Sequence, residues 1–206
     1  IIPKRLDGQV AVLLVPGGVG YAHWILDLLP RWKILADLGF TADDFSSLLV
    51  NDLSQSFQSE SLQAVGIEHR VRVVEASFSY TADTLVVPAY AAEIGHAPSW
   101  VIEYLRDLFL IEPKASPLQA GKHIFLSRRN AAWRRLSNEE DIYARLAEYG
   151  FERVECEKLS IREQARIVAN AEIIVAPHGA ALTNLVFSSA NAKVLELFSP
   201  HWPNSM

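Results

Sequence analysis

The chain has 206 residues, half of them hydrophobic, and its 24 acidic against 19 basic side chains give a formal net charge of −5. That is material for one large or two small globular domains, and the acidic balance argues against general nucleic-acid binding, so any functional positive charge must be local. The single cysteine excludes an internal disulfide, no apolar run approaches the roughly 20 residues of a membrane span, and no signal peptide is recognisable.

The first apolar run, 10–15, reads as a strand and ends in the turn Pro16-Gly17-Gly18-Val19-Gly20. A helical pattern over 22–38 follows and carries His23, Asp27 and Arg31 at intervals of four. Pro30 removes one helical hydrogen bond, so a bend or a restart is expected there. Strands at 47–50, 71–75 and 84–87 are interspersed with helices at 56–65 and 99–110. The stretch 112–121 contains two prolines, a glycine and no periodicity, and reads as a linker. Beyond it come strands at 123–127, 151–156, 172–176 and 193–197, with helices at 138–149, 161–170 and 180–187. Ser137 and Asn138 offer a cap to the first of these helices, Gly150 ends it, and Ser160 with Glu163 forms a capping-box pattern for the next. Several strand runs are near-continuously apolar, as expected for parallel strands covered on both faces. The pattern predicts an α/β fold of two Rossmann-like α/β/α units, 1–113 and 114–206, facing a cleft.

Two anion signals lie in the second unit. The strand ending at Pro177 runs into His178-Gly179-Ala180-Ala181-Leu182-Thr183-Asn184, a strand-to-helix junction. Unpaired amides at such a helix start stabilise an anion, Gly179 lets a ligand approach the backbone, and Thr183 and Asn184 add hydrogen-bonding side chains. About fifty residues upstream, Ser127, Arg128 and Arg129 close a strand, with Arg134 and Arg135 on the loop after it and Trp133 between the two pairs. No acidic residue occurs from 113 to 138, and arginine binds phosphate with a planar two-pronged donor set. An ordinary turn and a solvated charged face are the plainer readings of each segment alone.

In the first unit His23 and Asp27 share a helix face, so Asp27 could fix the tautomer of His23 and equip it as a general base. A pair that merely solvates the helix fits the same spacing. Cys156 sits between Glu155 and Glu157, whose carboxylates disfavour the thiolate, so it is a poor nucleophile; a reducing, cytoplasmic compartment is compatible. The six histidines lack metal-ligand spacing, and neither an Asp-x-Asp pair nor a Gly-x-Ser-x-Gly elbow occurs. No metal site is therefore expected.

The segments 21–31, 126–129, 135–139, 159–164, 177–185 and 193–197 resemble, in order, glycosyltransferase family 61. That family includes bacterial capsular and cell-surface polysaccharide enzymes, and eukaryotic transferases acting on glycoproteins and plant wall xylan. The resemblance implies the two-domain GT-B plan and a metal-independent, inverting transfer from a nucleotide-diphosphate sugar, UDP-linked, to a glycan acceptor in polysaccharide biosynthesis. It implies no cofactor and a cytoplasmic enzyme, with peripheral attachment to the inner membrane compatible. Ser127, Arg128, Arg129, Arg135 and the segment His178–Ala181, aided by Thr183 and Asn184, would bind the donor diphosphate, and Glu196 a ribose hydroxyl. His23 and Asp27 would carry catalysis, with His178 as the alternative base. Only nine residues follow Leu197, so the second unit is expected to be incomplete. Two other readings stay open. One is a non-catalytic nucleotide-sugar or glycan-binding module; the other is a dinucleotide oxidoreductase using Gly17 to Gly20 and Asn51-Asp52, against which the glycine order speaks.

Overall fold

Near-continuous apolar runs become parallel strands in both halves of the chain, and the computed structural model describes residues 3–75, 77–93, 96–110 and 122–199. These residues belong to two units, Ile1–Tyr104 and Leu105–Met206. The expected linker, 112–121, lies outside the described residues.

The first unit contains β1 (Lys4–Arg5), β2 (Gln9–Val12), β3 (Ser47–Val50), β4 (Val71–Val73), β5 (Tyr80–Thr81) and β6 (Thr84–Val86). Its main sheet has the order β4-β3-β2-β6, with every pairing parallel. β2 thus lies where the chain, after winding one way through β3 and β4, returns to the other side at β6. Ligands bind at such a switch point, outside the carboxyl ends of the strands. β1 and β5 form a separate parallel pair, which two-residue strands are too short to announce in sequence.

The helix after β2 runs as α1 (Tyr21–His23), a π turn at Trp24–Leu28, and α2 (Leu29–Asp37). The expected disturbance at Pro30 takes this form: the proline lacks an N–H and its ring crowds the carbonyl four residues back. The turn before it widens, so that the Leu29 N–H donates to the Trp24 carbonyl five residues back. Trp24 is fully buried and its indole N–H donates to Ser61 Oγ at 2.8 Å, docking the π turn on α3 (Ser56–Ala64). The last helix assigned to this half, α4, spans Ser99–Leu110, and the division between the units falls within it.

The second unit contains β7 (His123–Leu126), β8 (Phe151–Val154), β9 (Ile173–Pro177) and β10 (Lys193–Leu197) in the parallel order β10-β9-β7-β8. Here the switch point falls between β7 and β9. Ile124, Phe125, Ile174 and Ala176 are fully buried, as parallel strands under helices should be. The edge strand β10 differs from that expectation, because Val194 and Leu195, which point to opposite faces, are both exposed. Helix α6 (Ile161–Asn170) begins with the capping box read from sequence: Ser160 Oγ accepts from the Glu163 N–H while the Glu163 carboxylate accepts from the Ser160 N–H. Its inward face, Ile161, Ala165 and Val168, is buried at helical spacing, and each large apolar side chain on it contributes about 1.5–3 kcal/mol. Helix α5 (Glu139–Ala147) corrects the capping expectation, since Asn138 stands at its start without a side-chain cap bond. The segment Ala180–Phe187 is helical as expected but wound as a 3₁₀ helix.

Candidate functional site

At the carboxyl end of β7 the chain turns through Ser127, Arg128 and Arg129, and adjacent residues there face different neighbours. Ser127 is buried and its hydroxyl donates to Glu139 Oε1; the Arg128 N–H donates to the other oxygen of the same carboxylate at 3.1 Å. Glu139, itself buried, is therefore drawn into the turn, which explains why α5 starts without its predicted cap.

The Arg128 guanidinium donates from Nη2 to the Trp133 carbonyl at 2.9 Å and from Nε to the Arg134 carbonyl at 3.3 Å. Its other edge lies against Gly179: a Cβ at that glycine would fall inside the guanidinium. Gly179 has an extended backbone that any residue could adopt, so the glycine serves the close approach of the arginine. One side chain thus joins the two anion signals. Partial burial, and then the neighbouring Arg134, pull the Arg128 pKa below the usual guanidinium range, against the opposing pull of Glu139 and Glu157. Arg129 faces the β8 side instead, where Nε pairs with Glu155 at 2.7 Å and Nη1 approaches Glu140 at 3.7 Å.

Arg134 and Arg135 are exposed and carry no ion pair or hydrogen bond from their side chains among the described residues. Arg134 has φ +55°, the left-handed region, an uncommon conformation for a residue with a side chain. Both arginines line a pocket of about 260 Å³ with Pro177, His178 and Leu197. That is below the roughly 300–1,000 Å³ of pockets that enclose a drug-sized ligand. His178 is held from β10: its ring Nδ1–H donates to Glu196 Oε1 at 2.6 Å, and the ring stacks on Phe198 with centroids 5.1 Å apart. The Ala180 and Ala181 amides precede the first bond of the 3₁₀ helix, which runs from the Leu182 N–H to the Gly179 carbonyl, so they remain for a ligand.

Two residues expected at the donor are buried. Asn184 is fully buried and its amide donates to Gln164 Oε1 at 2.8 Å, fastening the 3₁₀ helix to α6. Thr183 is buried beside it. Glu196, expected at a ribose hydroxyl, engages His178 with Oε1.

The first unit's switch point has a different make-up. His23 Nδ1–H donates to Asp27 Oδ2 at 2.7 Å, with the histidine half-exposed and the carboxylate mostly covered. The imidazole lies against Gly17, whose φ is +71° and whose Cβ, were there one, would meet the ring. Asn51, at the end of β3, accepts from the Val15 N–H and donates to the Val15 carbonyl, and its side chain fills the place of a Gly18 Cβ. Sequence reading missed this clamp; an Asn directly after an apolar strand was its one signal. Arg31 does not extend the His23–Asp27 face into solvent: it is buried, donates to the Val12 carbonyl at 2.8 Å and lies over the Tyr90 ring. Burial lowers its pKa, with Tyr90 opposing.

Cys156 is buried, and burial first, then Glu157, pushes its thiol up to about 12. It is an inert packing group. Among the described residues no group of three or more His, Cys, Asp or Glu side chains could hold a metal ion, and no helix is long and apolar enough to cross a membrane.

A parallel α/β unit that gathers arginines and a helix start at its switch point has the chemical make-up that suits an anionic ligand. Residues 21–195 match the protein family described as Glycosyltransferase 61, and the chain belongs to that family. It is also 35% identical over 95 residues to the EGF domain-specific O-linked N-acetylglucosamine transferase of Drosophila melanogaster, a match covering 45% of this chain and 18% of that protein. The chain thus spans less than a fifth of that relative's length.

Proposed function

We propose that this chain is the nucleotide-sugar-handling part of an inverting, metal-independent glycosyltransferase of GT-B type, taking a UDP-linked sugar and a glycan acceptor. The observation that carries the reading is the contact of Arg128 with Gly179, beside the pocket of Arg134, Arg135 and His178. A departing diphosphate needs charge neutralisation in place before the bond breaks, and two pocket arginines, a histidine and two helix-start amides supply it. Arg128 acts in this scheme by holding the Trp133–Arg134 carbonyls and the Gly179 turn in one geometry. Arg129 adds long-range charge, and Ser127, Thr183 and Asn184 hold the site's shape.

In the displacement the acceptor hydroxyl oxygen bonds to the anomeric carbon while the bond from that carbon to the diphosphate oxygen breaks. The electron pair leaves with the diphosphate, and the hydroxyl proton goes to a base. His23, with Nδ1–H on Asp27, has its Nε2 lone pair available for that proton. The relative's name specifies N-acetylglucosamine and an O-linked product on an EGF domain; a polysaccharide hydroxyl demands the same base. A cytoplasmic, membrane-peripheral enzyme of polysaccharide synthesis is the setting proposed.

Calorimetric titration with UDP, followed by a UDP-release assay with mixed acceptors with and without a chelator, tests the reading. Binding with chelator-resistant turnover is expected. Binding without turnover favours a non-catalytic module, and no binding overturns the donor site.

A further inference from the structure

His178 and Glu196 stand at the ends of adjacent parallel strands, β9 and β10, and three contacts fix the imidazole there. Its backbone N–H donates to the Leu197 carbonyl at 2.9 Å, its ring stacks on Phe198, and its Nδ1–H donates to Glu196 at 2.6 Å. Both side chains are about three-quarters or two-thirds covered, at 24% and 31% exposure, so the pair is only partly screened by solvent. A ring held by Nδ1 on one side offers Nε2 on the other. The charged groups around it are Glu196 on β10, Arg134 and Arg135 across the pocket, and the Arg128 guanidinium at the neighbouring Gly179. Three of these four are cations. Among the described residues Glu196 is the anion hydrogen-bonded to it.

We infer that Glu196 is a positioning residue: it holds His178 by Nδ1 and offsets the surrounding arginines, so that Nε2 is the ring atom turned to the donor's diphosphate. The inference rests on the donor-binding reading of the same pocket, and it replaces a ribose contact with control of a histidine. The sequence separation of 18 residues hides the pair; the parallel register that sets Glu196 beside Ala176 creates it.

The test is a UDP titration at about pH 5.5 and about pH 8, beside uridine as a ligand without phosphate, in the wild type, Glu196→Gln, Glu196→Leu and His178→Gln. Nitrogen-15 spectra of the histidine ring, taken on the same proteins without ligand, report which ring nitrogen carries the proton. Glu196→Gln weakens UDP about tenfold, as expected for one charge-assisted hydrogen bond. Glu196→Leu also lowers the Nδ1–H population of His178, and uridine binding is unchanged in every variant. His178→Gln weakens UDP as the Glu196 variants do.

An unaltered His178 ring spectrum in Glu196→Leu, or wild-type UDP affinity at both pH values in both Glu196 variants, overturns the inference. Equal weakening of uridine and UDP overturns it as well, in favour of a ribose contact. Absence of UDP binding by the wild type overturns the donor site itself, while the ring spectra still report whether Glu196 sets the tautomer.

Discussion

The two switch points of this chain follow one topological rule and carry opposite chemistry. At the end of β2 the groups are a His–Asp pair, an asparagine clamp and a buried arginine already committed to the Val12 carbonyl. At the ends of β7 and β9 they are a cluster of arginines, helix-start amides and a His–Glu pair. In both places a glycine makes room for a side chain from another segment, His23 at Gly17 and Arg128 at Gly179. The fold therefore supplies the crevice, and the inserted side chain decides what it suits. A histidine with a covered carboxylate behind it suits a hydroxyl that must lose a proton, whereas clustered guanidinium groups suit an anion that must be held.

The strongest way to break this contrast is His23→Ala. If the first crevice houses the base, kcat falls by about 10²–10⁴ while UDP affinity stays within twofold, measured by turnover and calorimetry on one preparation. Activity within a few-fold of wild type would move the base to Asp27 or His178. The second test compares adjacent arginines. Arg128→Ala should weaken UDP binding by about 1.5–3 kcal/mol, the range for charge-assisted hydrogen bonds. Arg129→Ala should cost less, because its guanidinium is paired with Glu155 and Glu140. Equal losses would show that charge alone, rather than the Gly179 contact, makes the site. Gly179→Ala should reproduce a part of the Arg128 loss by displacing the guanidinium.

Two smaller effects concern how the second crevice is held. Asn184→Ala removes the partner of a buried Gln164 and should destabilise the fold by about 1–3 kcal/mol, read from denaturant unfolding, with UDP affinity affected only through the stability of the site. Ser160→Ala should cost about 1 kcal/mol as a lost helix cap. The Glu163 half of that box depends on pH. Hydrogen bonds from the Ser160 side chain and backbone hold the Glu163 pKa below the usual carboxylate range. Its contribution is full above the unfolded-state value, near 4.3, and is lost as pH falls through the lower folded value. A wild-type stability curve steeper below about pH 4 than that of Glu163→Gln is the expected result.

Much of this was legible in the residues. The helices Ser99–Leu110 and Ile161–Asn170 match the spans read from periodicity, and at the second the capping chemistry of Ser160 and Glu163 agrees with the pattern. The two anion signals were visible as an arginine run without acids and a strand ending in Pro-His-Gly. Their contact was not, because it depends on β7 and β9 being neighbours in the sheet, 50 residues apart in sequence. The cap expected at Ser137–Asn138 failed for a related reason: Glu139 accepts from Ser127 and Arg128 across the turn, a tertiary demand that outweighed a local preference.

By itself the sequence determined the alternation of parallel strands and helices, the cation-rich loop, the glycine turns and the family. Those features are written in nearest-neighbour chemistry: hydrophobic period, capping partners, and backbone positions where only glycine leaves space. Which way each polar side chain points was decided by the tertiary structure alone. Register set Glu196 beside His178, packing against α6 turned Asn184 inward, and the turn after β7 sent Arg128 toward Gly179 and Arg129 toward Glu155. A side chain's partner is chosen by what the sheet order brings within about 3 Å, and sheet order is a property of long-range contacts that no local pattern encodes.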